Sequence, residues 1–179
     1  MAPAKTLTLA DQGVPKVAII LPAGAGPLLS RAATDLQATL EKIIGMTPPM
    51  GADTGKPASR GMAAIHVGET AYARSLGLNA SGAGVEGYRI ATSGQDILIL
   101  GGSDSGASYG VYGLLEDHLN VRWFLPGELF EDVPMQTTLR IPPIDETKTP
   151  HFLHRVFSGI TGLEPNLWER RNRVSNRRP

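Results

Sequence analysis

Residues Ile97–Leu119 read ILILGGSDSGASYGVYGLLEDHL: an apolar run, a glycine-rich turn, then small and apolar residues at helical spacing. The run Ile97–Leu100 suits a buried strand, and Ser103, Asp104 or Ser105 is of the type that caps a helix N-terminus. Gly106, Gly110 and Gly113 recur at spacings of four and three and so form one bare stripe on that helix. A bare stripe lets a helix axis lie close on a sheet, with Val111, Leu114, Leu115 and His118 on its flanks. The stretch therefore predicts a strand followed by a helix packed on the sheet.

A glycine-rich turn ahead of a helix can also cradle a phosphate, because the first turn offers unpaired N–H groups and a partial positive charge. The residues present argue against it. Gly106 is followed by Ala107 and Ser108, with no lysine to reach a phosphate, and Glu116 and Asp117 lie on the helix itself, where no ribose could reach them.

Upstream, Leu7 and Leu9 alternate with Thr6 and Thr8 as in a half-buried strand, and Val17–Leu21 is a short apolar run typical of an inner strand. From Pro27 the apolar positions Leu29, Ala32, Ala33, Leu36, Leu40, Ile43 and Ile44 recur at helical spacing. Pro27 stands in the first turn and Gly45 just past the end. The proline- and glycine-rich stretch 47–61 reads as a loop and Ala63–Val67 as a strand, which completes a β–α–β unit with parallel strands. A short helix over 71–76 is bracketed by Thr70 and Gly77. Tyr88–Ala91 and Asp96–Leu100 flank the turn TSGQ as a hairpin. Val121–Leu125 and Thr138–Ile141 read as short extended pieces, and 145–150, DETKTP, as a linker. The expected fold is α/β: a two-layer sandwich of a mixed sheet and two long helices over residues 1–145. Residues 146–179 follow as a linker plus a strand and helix without further elements.

The 179 residues carry 17 basic and 17 acidic side chains, so net charge calls for neither nucleic acid nor an anionic membrane. Arg170, Arg171, Arg173, Arg177 and Arg178 crowd the last ten positions, where the interleaved Trp168, Asn172 and Val174 suit an amphipathic helix better than a nucleic-acid arm. The absence of cysteine excludes disulfides, thiol nucleophiles and thiolate metal sites. The first residues hold no apolar run of signal-peptide length, which leaves a cytoplasmic location open, or a periplasmic or secreted one if a signal was removed.

The tight acidic pairs Glu116–Asp117 and Glu131–Asp132 point apart on a helix or strand and cannot flank one sugar, so they read as solvated surface. His151 and His154 would face opposite ways on a strand, no third ligand is near, and no metal or other cofactor is expected. Trp123, beside Arg122 and Phe124, could stack on a sugar ring or belong to the core.

The stretches 17–45, 87–90, 96–128 and 150–155 resemble the N-terminal α/β domain that precedes the catalytic barrel in α-glucuronidases, β-N-acetylhexosaminidases and a related group of bacterial proteins. The most specific part runs from Tyr109-Gly110-Val111-Tyr112 through Leu115-Glu116-Asp117 to Val121-Arg122-Trp123-Phe124 and Pro126-Gly127-Glu128. The resemblance implies a zincin-like support domain without catalytic residues, with residues 146–179 as the truncated start of a TIM barrel whose later strands carry the hydrolytic carboxylates. Pro150, Phe152 and Arg155 match a P-x-F-x-x-R pattern whose arginine holds sugar hydroxyls in the hexosaminidases. The family places Gly next, where this chain has Val156. The implied function is that of a non-catalytic domain of a glycoside hydrolase acting on polysaccharides or glycans. Its partner would be its own catalytic barrel, and Arg155 and Trp123 would be the sugar-contacting candidates. The alternative is a self-contained carbohydrate- or protein-binding module.

Overall fold

The computed structural model describes residues 6–53, 61–159 and 165–176. The chain runs β1 (Leu7–Asp11), β2 (Val14–Pro15), β3 (Val17–Leu21), α1 (Pro27–Ile44), β4 (Met50–Ala52), β5 (Ala63–Val67), α2 (Ala71–Ser75), β6 (Tyr88–Ser93) and β7 (Asp96–Gly101). It continues with α3 (Asp104–Gly113), a π-helical turn at Leu114–His118, β8 (Arg122–Trp123), a 3₁₀ turn at Glu128–Phe130, β9 (Glu131–Asp132), β10 (Leu139–Ile141) and β11 (Asp145–Lys148). The last elements are β12 (His154–Arg155), α4 (Pro165–Arg171) and β13 (Ser175–Asn176).

Six strands form the main sheet in the order β11-β6-β7-β5-β3-β4. β4, β3, β5 and β7 run parallel, whereas β6 and β11 are antiparallel to their neighbours, so the sheet is mixed as expected. Alternation along β7 decides the layers: Ile97 and Ile99 join α1 and α3 in the large core, while Leu98 and Leu100 face the opposite side with Ala73, Ala80 and Ala83. A separate three-stranded sheet, β10-β1-β2, adds Leu7, Leu9, Leu139 and Ile141 to the large core.

α1 forms for the reasons its sequence shows. Its apolar positions fall on one buried face, Pro27 sits at the first turn, and Gly45 closes the helix in the left-handed conformation at φ 88°. The glycine stripe of α3 does what its spacing predicts. A Cβ added at Gly110 would stand 2.6 Å from Ile99 Cγ2, and one at Gly113 or Gly106 would collide with the Tyr88 hydroxyl or the Gly87 carbonyl. Ser103 is the cap, its Oγ accepting from Gly106 N at 3.3 Å.

Three readings are corrected. Residues 145–148, expected as a linker, are strand β11, hydrogen-bonded to β6 at the edge of the main sheet. Its sequence DETK is polar because an edge strand needs only backbone partners on one side and leaves its side chains largely in water. The loop after α1 contains the edge strand β4, likewise exposed. The terminal helix α4, expected to stand without further elements, packs on the domain and buries Trp168 in the large core. Beyond β11 the described residues hold β12, α4 and β13, with β12 and β13 paired antiparallel.

Candidate functional site

The glycine turn lies where β3, β5 and β7 end. A crevice of about 280 Å³ opens there, lined by Gly24, Gly26, Gly68, Gly102, Glu69 and Asp104 among others. Its chemistry disfavours an anion: Ser103 already caps α3, and two carboxylates stand among the lining residues. Among the described lining residues no cation supports a phosphate cradle, and Ser103 already takes one N–H of the first turn.

Trp123 is buried, 6% exposed, and meets Tyr112 edge-on with ring centroids 6.0 Å apart. The Arg171 guanidinium lies 5.2 Å from its ring centre. The Trp123 carbonyl accepts from Trp168 Nε1 at 3.0 Å and from Asn172 Nδ2 at 3.3 Å. Its ring is thus occupied by the protein, and the sugar-stacking role considered for it gives way to a core role. Phe124, the next residue, is exposed, as alternation along the strand requires.

Arg155 sits at the end of β12 beside a cavity of about 270 Å³ lined by Glu86, Tyr88, Asp117, Lys148 and Arg173. Its Nη2 donates to Glu86 Oε2 at 2.9 Å, its Nε to the Arg173 carbonyl at 2.9 Å, and its Nη1 to the Phe152 carbonyl. The Tyr109 ring centre lies 5.7 Å from the guanidinium carbon. Glu86 accepts a further hydrogen bond from Ser175 Oγ at 2.5 Å, so one buried carboxylate holds both strands of the β12–β13 ribbon. Lys148 donates to Asp117 at 2.6 Å. Burial works against the Lys148 charge, yet the hydrogen bond to Asp117 and the nearby carboxylates prevail and hold its pKa above the ordinary lysine value. Burial pushes the Tyr88 hydroxyl up, so it stays protonated.

Of the four acids in the tight pairs, Asp132 is exposed and the other three are engaged in ion pairs. Glu116 pairs with Arg173 and Asp117 with Lys148. Glu131, its side chain only 8% exposed, lies between Lys42 at 2.7 Å and Arg171. Burial would raise the Glu131 pKa, but the hydrogen bonds from Lys42 and Arg171 outweigh it and hold the carboxyl below the usual range. The three arginines of the described tail therefore work within the protein: Arg171 and Arg173 as ion-pair partners, Arg170 beside Tyr112. Among the described residues no group of three or more His, Asp or Glu side chains is arranged to hold a metal. No helix among them is long and apolar enough to cross a membrane. Glu86 and Ser175 escaped the sequence reading, since a lone Glu between glycines and a lone Ser after an arginine-rich helix carry no periodic signal; Tyr109 stood in the family motif without a role.

Fold and site together define a two-layer α/β domain whose charged side chains are turned to its own architecture. The family described as Glycosyl hydrolase family 67 N-terminus matches residues 5–114, more than half of the chain, and the chain belongs to that family. Among solved structures, it is similar to a family GH115 4-O-methyl-α-glucuronidase, BtGH115A, with specificity for decorated arabinogalactans, at 16% identity and a TM-score of 0.58. That likeness covers 84% of this chain and 19% of the other. A mutant Streptomyces plicatus β-hexosaminidase in complex with its product GlcNAc is similar at 18% identity and a TM-score of 0.53, covering 85% of this chain and 25% of the other. At these identities the likeness shows the fold. The chain spans a quarter or less of the length of these solved chains. No curated protein sequence matches it.

Proposed function

We propose that this chain is the non-catalytic N-terminal domain of a glycoside hydrolase that breaks down glycans, and that it supports a catalytic domain supplied by the longer protein. The observation that carries this reading is the match to the family 67 N-terminus over residues 5–114. The side-chain chemistry supports it. Hydrolysis needs two carboxylates facing each other across a sugar, roughly 5 Å apart for retention or 6.5–9.5 Å for inversion. Here Glu116, Asp117 and Glu131 are each neutralised by a cation, and Glu86 is buried against Arg155.

The residues after Lys148 lead into the supported domain. Phe152, Leu153, Val156 and Phe157 are exposed there, and Leu125, Leu129 and Met135 are exposed on the 124–135 segment. Apolar side chains in such number suit a surface that a further domain covers. Arg155 contributes to a sugar site only through the two N–H groups not already donated to Glu86, Arg173 and Phe152.

The test is hydrolysis of aryl α-glucuronides and aryl N-acetyl-hexosaminides by the purified chain. The expected result is no turnover above buffer. Turnover that survives repurification and is lost on Glu86→Gln or Glu131→Gln would overturn the reading and place the chemistry in these 179 residues.

A further inference from the structure

We propose that a buried polar lock centred on Glu86 fastens the ribbon of β12 and β13 to the α/β domain, so that this ribbon is a rigid extension of the domain and not a tether. Glu86 lies in the loop ahead of β6, and its side chain is 3% exposed. A carboxylate at that depth is costly unless it is paired and hydrogen-bonded. Its two oxygens take one donor from each strand of the terminal ribbon, Arg155 of β12 and Ser175 of β13. Lifting the ribbon away therefore breaks both of these bonds and separates Glu86 from its Arg155 counterion.

α3 completes the lock from the other side. Tyr109 stands under the Arg155 guanidinium, and its hydroxyl donates to the Val174 carbonyl at 3.1 Å. Arg155 Nε closes the circuit by donating to the Arg173 carbonyl, while the Arg173 side chain pairs with Glu116 on the π-helical turn. Four segments thus meet: the loop before β6, the middle of α3, β12 and β13. A second group of contacts lies further along α4, where Trp168 Nε1 reaches the Trp123 carbonyl and Arg171 reaches Glu131.

The geometry makes Arg155 a positioned side chain, its plane set by Glu86, the Tyr109 ring and two carbonyls. Under the support-domain reading, on which this use of the lock rests, a rigid exit determines where the next domain stands relative to the sheet. The lock itself is a property of this chain and is tested separately from that reading.

The experiment is brief trypsin digestion of the full chain, with the cuts followed by mass spectrometry, for the wild type, Glu86→Ala and Ser175→Ala. In the wild type, cuts after Arg155 and Arg171 are expected to be as slow as those after Arg31 within α1. Glu86→Ala is expected to speed the tail cuts at least about tenfold, since losing one partner of a buried ion pair exceeds one decade in an equilibrium constant, and to leave the Arg31 cut unchanged. Ser175→Ala, which removes one hydroxyl and no charge, is expected to move the same cuts in the same direction by a smaller factor. Should Glu86→Ala unfold the whole domain, Ser175→Ala decides the matter. Immediate loss of residues after Lys148 from the wild type would overturn the lock. So would tail cuts unaffected by both substitutions, or by Ser175→Ala alone where Glu86→Ala has unfolded the domain. Glycosidase activity of the isolated chain would overturn the support-domain reading and leave the lock standing.

Discussion

The body of the domain and its described residues beyond Lys148 are held by different forces. Between the main sheet and α1 and α3 the contact is apolar: Ile19, Leu36, Leu40, Ile65, Ile97, Ile99 and Val111 are fully buried there. Such burial stabilises in proportion to the area removed from water and is indifferent to pH. Among the described residues beyond Lys148 only Trp168 is a deeply buried apolar side chain, and the ribbon and α4 are attached by ion pairs and directed hydrogen bonds to Glu86, Glu116, Glu131 and the Trp123 carbonyl. Polar attachment specifies one geometry, but each bond adds little net free energy, and the whole depends on the charge state of its carboxylates. The body should therefore unfold as one apolar unit, while the tail should answer to charge.

The largest expected effect comes from the body. Ile65→Ala opens a cavity in the central strand and should lower global stability by about 3 kcal/mol, read from the urea midpoint. Gly110→Val should cost about 2 kcal/mol or more by forcing a side chain against Ile99 and Tyr88, with α3 pushed off the sheet. An unchanged midpoint for either would mean that the helix layer is looser than its contacts require. In the tail, Glu131→Ala leaves Lys42 and Arg171 facing each other without their anion. It should weaken attachment of α4 by about 2 kcal/mol, seen as faster amide exchange over 166–174 and little change in β5.

The pH dependence sharpens the contrast. The folded Glu131 carboxyl has a lowered pKa, so its contribution is complete above the ordinary carboxylate value of 4.5 and is lost as pH falls through the lower folded value. Tail protection factors, which divide out the intrinsic slowing of amide exchange in acid, should fall as pH drops through that range and lose that dependence in Glu131→Ala. The smallest effect belongs to His66 on β5, whose Nδ1 lies 3.0 Å from Thr70 Oγ1 and whose ring packs on Tyr72. Burial lowers its pKa, against the pull of Asp96 and Asp53, so the unfolded chain binds the proton more readily. Stability should then decline as pH falls below 6.5 and level off below the folded value; His66→Gln should flatten the urea midpoint across that range. A decline that persists in His66→Gln would place the titrating group elsewhere.

Much of the body was legible in the residues. Leu29 to Ile44 name the buried face of α1, Gly45 its end, and Gly106, Gly110 and Gly113 the side of α3 that meets the sheet, because helical periodicity and missing side chains are local facts. The polar segments were not. DETK reads as a linker until β6 is beside it, and Glu131 reads as surface until Lys42 and Arg171 arrive from other parts of the chain. Arg155 was singled out by its motif, yet what it touches, Glu86 and Tyr109, is spaced 69 and 46 positions away in the chain and carries no pattern of its own.

The sequence by itself determined the α/β class, the two long helices, the hairpin of β6 and β7 and the likeness to the N-terminal domains of glycoside hydrolases. Periodicity, glycine placement and turn chemistry act over a few residues and need no partner. Only the tertiary structure decided that Trp123 belongs to the core, that Asp145–Lys148 closes one edge of the sheet and that the terminal segment is clamped to the domain. Ion pairs and edge pairing depend on which distant groups meet, and that is settled only when the whole chain has folded.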